Sequence, residues 1–368
     1  MDVSDYELRE AQAVKSIKSN ISPTFKDRMM QDGFIEIYRN PLLPVLEFST
    51  TDGVGSKVLV ASLLHKYNTV GIDLVAMNAN DAAVYGQVFP SLFMNYLACQ
   101  EKIAGEIAGQ IISGIIKGLE ECDLTSIIPN VPRINLGKGE TASLPDLISG
   151  PRAGYSFDIS GSMTGYIKEL KEMKPQPGQI IIGFKSSGPH SNGYTALRTR
   201  LLRPDVEERA GFKQQYQGRF LLTDKPFPAD ERTLGEILLT PTKIYLKVMC
   251  AITKELTYVF GVNITGYGLH NFNRCGGKIR YVIDKPFTPQ PIFTLMQQEA
   301  GYDTKKMYTK FNMGLGFAII CNLEDEKRIM EISQEQGIEA KVIGKVEAAE
   351  EVHAILIKDN ETILFRGY

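Results

Sequence analysis

Apolar and polar positions along this 368-residue chain follow two periods, and the switches between them outline the elements. Runs of strand length fall at 43–49, 91–99, 134–139, 179–184 and 316–321. The first delivers Asp52 just past its end. The third ends in a Gly-x-Gly-Glu-Thr turn, and 156–169 is also β-rich. Helical spacing covers 57–67, 70–86, 102–119 and 193–202, and a mixed helical segment runs from 7 to 31, ending near Gly33. Within 70–86, Asp73, Met77, Asn80 and Val84 share one face and Asp81 lies on its edge. A closing hairpin is predicted over 354–365 with its turn at Asp359-Asn360. Strands alternate with helices in both halves, so the class is α/β or α+β. The charged, proline-broken stretch 171–178 marks the boundary, predicting units at 1–170 and 178–368.

Length supports two domains, and an apolar fraction of 43% is that of an ordinary globular chain. A net charge of −2 argues against a nucleic-acid partner. No apolar run is long enough to span a membrane, and the acidic, polar start Met1-Asp2-Val3-Ser4 does not read as a secretory signal. Five scattered cysteines without a C-x-x-C pair fit reduced thiols, so a cytoplasmic location is expected.

Two glycine loops carry the candidate chemistry. Asp52-Gly53-Val54-Gly55-Ser56-Lys57 sets a carboxylate, a hydroxyl and an ammonium within six residues. Gly188-Pro189-His190-Ser191-Asn192-Gly193 runs into a predicted helix, whose N-terminus suits an anion. Neither fits a standard nucleotide fingerprint. Each residue also has a plain reading. Asp52 can be a turn residue, Asp81 a solvated helix residue, Lys57 a surface lysine and Glu140 a helix-start acid. His190 is either a ring packed on its loop or a phosphate donor, and Asn192 reads as an N-cap.

The ordered motifs decide between these readings. Thr51-Asp52-Gly53-Val54-Gly55-Ser56-Lys57, Gly71-Ile72-Asp73, Asn80-Asp81 and Gly139-Glu140-Thr141-Ala142 come first. Ser186-Ser187-Gly188, His190-Ser191-Asn192-Gly193-Tyr194, Leu239-Thr240-Pro241-Thr242-Lys243-Ile244-Tyr245, Ile264-Thr265-Gly266 and Phe311-Asn312-Met313-Gly314-Leu315-Gly316 follow. From about residue 47 to 346 the chain resembles the phosphoribosylformylglycinamidine cyclo-ligase family, the aminoimidazole ribonucleotide synthetases of purine biosynthesis. The resemblance implies a two-domain fold and a homodimer whose N-terminal sheets pair into a barrel. It implies ATP- and Mg²⁺-dependent phosphorylation of a formyl amide oxygen, followed by ring closure.

On that resemblance Asp52, Asp81 and Glu140 suit Mg²⁺, and Lys57 suits a β- or γ-phosphate as a mobile cation. Ser187, Gly188, His190, Ser191, Asn192 and Gly193 are expected to hold the substrate 5′-phosphate. Asp73, Asn80, Thr141, Thr265 and Gly266 are expected to line the nucleotide or substrate cleft. The chain departs from the family pattern at Asn263, where the family commonly has histidine, so an acid–base role there is lost or moved. It departs also at Asn95, Lys138, Tyr267 and the 7–14 segment. Two alternatives stay open: a superfamily member phosphorylating another small acceptor, or a nucleotide-binding paralogue without turnover. The selenophosphate synthetase and hydrogenase-maturation branches are disfavoured, because the first cysteine is Cys99 and the chain ends Phe365-Arg366-Gly367-Tyr368.

Overall fold

The computed structural model describes residues 12–13, 16–17, 19–31, 33–103, 105–170, 174–204, 216–256 and 259–367. Most of the altered 7–14 segment, and part of the expected boundary stretch, lie outside these.

The first sheet holds β1 (Met29–Gln31), β2 (Glu36–Arg39), β3 (Leu46–Gly53), β4 (Val88–Cys99), β5 (Asn135–Leu136), β6 (Glu140–Ser143) and β7 (Phe157–Ile167). Its order is β1-β2-β3-β7-β4-β5, with β6 also on β4. Only the β4–β5 and β4–β6 pairs are parallel. Side chains alternate along β7: Phe157, Ile159, Met163 and Ile167 are buried while Asp158, Ser160, Ser162, Thr164 and Tyr166 face outward. The helices α1 (Lys57–Leu64), α2 (Asn68–Ala83) and α3 (Glu106–Glu121) follow strands of this sheet, and α2 packs on its buried face. Close packing of α3 on α2 needs glycine at the crossing, since a Cβ on Gly114 would stand 1.8 Å from the Asn68 carbonyl oxygen.

The second sheet holds β8 (Ile180–Lys185), β9 (Phe260–Asn263), β10 (Ile279–Ile283), β11 (Leu315–Cys321), β12 (Ala340–Ala348), β13 (His353–Lys358) and β14 (Glu361–Phe365). Its order is β14-β13-β10-β12-β8-β11-β9, antiparallel except at β10–β13. The interior strand β11 is buried along its whole length, which is why it reads as an unbroken apolar run. Around the sheet lie α4 (Tyr194–Leu201), α5 (Leu234–Leu238), α6 (Leu246–Glu255), α7 (Pro291–Ala300), α8 (Thr304–Lys310) and α9 (Glu326–Glu335). The hairpin turn is where the sequence puts it. Asp359 and Asn360 have φ of 52° and 62°, the left-handed pair a two-residue hairpin loop requires.

Antiparallel pairing dominates both sheets, so the fold is α+β. Four local expectations change, the first being that the helical segment expected over 7–31 gives way to a strand, β1, at Met29–Gln31. Asp52 sits inside β3, because pairing continues through Asp52 opposite Gly161. The 134–139 run is strand only at Asn135–Leu136, and Glu140 begins β6 in parallel register with β4. The helix expected from 102 starts at Glu106, because Gly105 at φ 76° ends the preceding turn.

The β9 edge of the second sheet meets the end of α2. Gly261 on β9 donates its N–H to the Val84 carbonyl, just past α2, at 3.2 Å. That contact brings the end of α2 against β9 and places Asp81 beside Asn263.

Candidate active site

Lys57 opens α1 and is wholly buried. Its ammonium donates to Asp73 Oδ1 at 2.9 Å, to the His190 carbonyl at 2.9 Å and to the Thr240 carbonyl at 2.7 Å. An ammonium has three protons, so all its donors are engaged. Burial pushes the Lys57 ammonium down, and the charge of Asp73 beside it opposes that. Asp73 also accepts from Thr242 N at 2.7 Å and Thr242 Oγ1 at 2.6 Å. Asn80, two turns further along the same face of α2, donates to the Lys243 carbonyl at 2.8 Å and accepts from Tyr245 N at 2.8 Å. These three residues of the first unit therefore clasp the strap 239–245 of the second.

At the other end of α2, Asn263 Nδ2 donates to Asp81 Oδ1 at 2.8 Å. Burial pushes the Asp81 carboxyl up to about 7, with the charge of Asp52 adding to the rise and the Asn263 bond and Arg274 opposing it. Burial also raises Asp52, whose Oδ1 accepts from Gly53 N at 2.7 Å. A cleft of about 270 Å³, lined by Gly33, Phe34, Ile35, Thr50, Thr51 and Asp81 among others, opens at Asp81. Two hard oxygen donors raised by burial, with their charges repelling each other, fit a divalent cation that keeps its waters and takes one or two carboxylates.

Glu140 does not join them. Asp52 pairs with Gly161, Gly161 with Asn95, and Glu140 with Tyr96, so three strand spacings, about 14 Å, separate the Asp52 and Glu140 backbones. Glu140 and Thr141 are exposed on β6. Among the described residues no three His, Cys, Asp or Glu side chains gather to hold one metal.

The second glycine loop lies against the first, where Ser56 Oγ and Thr195 Oγ1 meet at 3.3 Å. At the start of α1 the Val58 and Leu59 N–H groups turn back onto the Gly55 and Ser56 carbonyls. At the start of α4 no side chain caps the helix. Its first-turn N–H groups have no acceptor within the helix, so the stronger anion cradle is at α4. The N-cap is Gly193 and not Asn192. Its φ is 75°, and a Cβ there would stand 2.3 Å from the Phe311 ring. His190 is buried, accepts from Ser187 N through Nε2 at 3.2 Å, and is pushed down to about 3 by burial and by Lys57. It is a neutral ring packed on its loop. Ser187 Oγ donates to the Pro241 carbonyl, and the Gly188 carbonyl accepts from Asn312. Gly266 lies near the Asn192 side-chain oxygen, and Asn271 ties the Gly266 carbonyl and Thr265 Oγ1 together.

Residues 45–167 match the AIR synthase related protein N-terminal domain, and residues 176–357 match the AIR synthase related protein C-terminal domain. A phosphoribosylformylglycinamidine cyclo-ligase from Methanosarcina mazei is 36% identical over 302 residues, 81% of this chain and 78% of the relative. One from Methanococcus maripaludis is 35% identical over 320 residues, covering 85% and 81%. The chain belongs to the AIR synthase family. Its fold is also that of E. coli HypE (TM-score 0.53, 14% identity, 97% of each chain) and of thiamine monophosphate kinase from Aquifex aeolicus (TM-score 0.54, 13%, 99% of each).

Within this family member the sequence-predicted residues divide. Asp52, Asp81 and Asn263 gather at one end of α2. The 188–193 loop, Thr265 and Gly266 gather at the start of α4. Lys57, Asp73 and Asn80 lie in the clasp, where Lys57 bonds Asp73 and the three together bond residues 190, 240, 242, 243 and 245. Lys57 is therefore not a mobile cation in this arrangement, and Asn263 is an amide donor that orients Asp81. Thr242 was not singled out. Its only sequence signal is a place in the Leu239–Tyr245 motif, and its partner Asp73 lies 169 positions away.

Proposed function

We propose that this chain closes the imidazole ring of aminoimidazole ribonucleotide, using ATP and formylglycinamidine ribonucleotide. One observation carries the reading. The carboxylate pair at Asp52 and Asp81 and the uncapped start of α4 are brought to the interface of the two units by α2 and the two glycine loops. The Methanosarcina mazei and Methanococcus maripaludis relatives, each a phosphoribosylformylglycinamidine cyclo-ligase, support the substrate assignment.

In this reading the substrate 5′-phosphate sits on the first-turn N–H groups of α4, with Asn192, Thr265 and Gly266 on its walls. The formyl amide oxygen attacks the γ-phosphorus, and the bond to the bridging oxygen of ADP breaks. The amidine nitrogen then adds to the activated carbon, and inorganic phosphate leaves. Asp52 and Asp81 would hold Mg²⁺, which when bound neutralises phosphate charge. Asn263 keeps one Asp81 oxygen engaged, leaving the other toward the cleft. Glu140 and Thr141 belong to the outer rim, suited to the nucleotide. The outward face of the first sheet, with Ser160, Ser162 and Thr164 beside half-exposed Tyr96 and Tyr166, is the surface we assign to a homodimer. The unit boundary is placed near 171–177 and the location in the cytoplasm.

The test is ADP release with ATP, Mg²⁺ and formylglycinamidine ribonucleotide, with aminoimidazole ribonucleotide assayed in the same tube. Equal amounts of both support the reading. A paralogue without turnover, the reading favoured by a non-titrating Asn263 at the carboxylate, would bind ATP and release no substrate-dependent ADP.

A further inference from the structure

The anion loop is held from behind by a directed chain of hydrogen bonds. Lys57 fixes Asp73 as an acceptor, and Thr242 gives Asp73 both its N–H and its hydroxyl proton. A threonine hydroxyl has one proton and two lone pairs. With that proton directed at Asp73, Thr242 Oγ1 offers only lone pairs to Ser191 Oγ, 3.0 Å away. Ser191 is therefore the donor of that bond. Its single proton points into the clasp, toward Thr242. Both side chains are buried, Thr242 at 3% and Ser191 at 9% exposure. A hydroxyl that turns only lone pairs outward repels a phosphate and cannot grip it.

We propose that Ser191 and Thr242 are positioning residues that set the geometry of the phosphate loop without touching the phosphate. The chain Lys57–Asp73–Thr242–Ser191 carries the orientation of α2 into the loop, and the anion is gripped by the backbone N–H groups at α4 and by Asn192. This rests on the reading of 188–193 as the substrate-phosphate loop.

The test is calorimetric titration with ribose 5-phosphate, plus KM and kcat for formylglycinamidine ribonucleotide. The proteins are the wild type, Thr242→Val, Thr242→Ser, Ser191→Ala and the Thr242→Val/Ser191→Ala double variant, with melting temperatures as the fold check. Loss of the Ser191–Thr242 hydrogen bond, which Thr242→Val removes together with the bond from Thr242 Oγ1 to Asp73, should weaken ribose 5-phosphate and raise KM about three- to tenfold in Thr242→Val and in Ser191→Ala. The double variant should lose no more than either single one, because both cut the same chain. Thr242→Ser, which keeps the hydroxyl, should restore wild-type affinity, and kcat at saturation should stay within about twofold throughout, on the same hydrogen-bond scale. Loss in Ser191→Ala with unchanged affinity in Thr242→Val, or additive losses, would show that Ser191 touches the phosphate and would overturn the proposal. If the wild type turns over substrate but does not bind ribose 5-phosphate, the loop assignment itself fails. If the wild type binds it and every variant binds equally, only the positioning proposal fails.

Discussion

Replacing Lys57 by methionine removes the ammonium and leaves Asp73 buried opposite an apolar chain of similar length. The structure sets the scale of the damage. Lys57 and Asp73 are both wholly buried and lie 2.9 Å apart, and breaking such a pair from one side costs about 3–5 kcal/mol. An unfolding entropy of about 2.1 cal/mol/K per residue gives about 0.8 kcal/mol/K for 368 residues melting as one unit. The expected fall in Tm is therefore about 4–6 °C. Because the chain has no tryptophan, differential scanning calorimetry is the suitable assay. The Lys57→Met/Asp73→Asn double variant leaves no unpaired charge and keeps an acceptor for Thr242, so it should recover at least half of that fall. Activity should follow folding, with the residual kcat of the folded fraction within about tenfold of wild type, a loss of about 1.4 kcal/mol. If Lys57→Met melts within about 1 °C of wild type while kcat falls about a thousandfold, roughly 4 kcal/mol of transition-state stabilisation, the ammonium touches phosphate and the clasp is refuted.

Three further outcomes are expected. Asp81→Asn should remove Mg²⁺-dependent ADP release and Mg²⁺ binding by calorimetry, while Tm at pH 8 holds or rises, because a buried carboxyl raised to about 7 destabilises the fold when charged; a marked loss of Tm would make Asp81 a structural residue. Gly193→Ala combines a left-handed backbone with a collision on Phe311, so it should cost about 2 kcal/mol or more and weaken ribose 5-phosphate beyond ATP; equal affinity for ribose 5-phosphate would contradict the placing of the anion at α4. Glu236 is held down to about 2 by the Thr233 backbone, Lys66 and the Thr233 hydroxyl. Its folded value lies below its ordinary one, so its contribution is complete above about pH 4.5 and is lost as pH falls toward 2. The stability gap between wild type and Glu236→Gln should shrink over that window in acid titrations followed by circular dichroism.

Much of the fold was legible because it depends on local pattern. The Asp359-Asn360 hairpin, the buried β11 run and the α2 face with Asp73 and Asn80 all follow from neighbours a few positions apart. The site was legible only as motifs. Helical spacing shows that Asp73 and Asn80 share a face, but not that the face meets residues 240–245 of the other unit. Lys57 follows two glycines and a serine and so reads as a free cation; its three acceptors lie 16, 133 and 183 positions away. Glu140 follows glycine and so reads as a turn or helix start, while parallel pairing with β4 draws it into a strand. Gly193 takes the cap from Asn192 because Phe311 leaves no room for a Cβ.

The clasp also bears on how the gene can be divided. The two sheets resemble separable modules, yet Lys57 of the first obtains two of its three acceptors from residues 190 and 240 of the second. An isolated first half would keep the Lys57–Asp73 pair but strip it of its other partners, and an isolated second half would leave the 240–245 strap without the carboxylate and amide that shape it. Expressed alone, neither half completes its own interior. Mixing halves from different relatives would succeed only where Lys57, Asp73 and Asn80 travel with a strap cut to fit them.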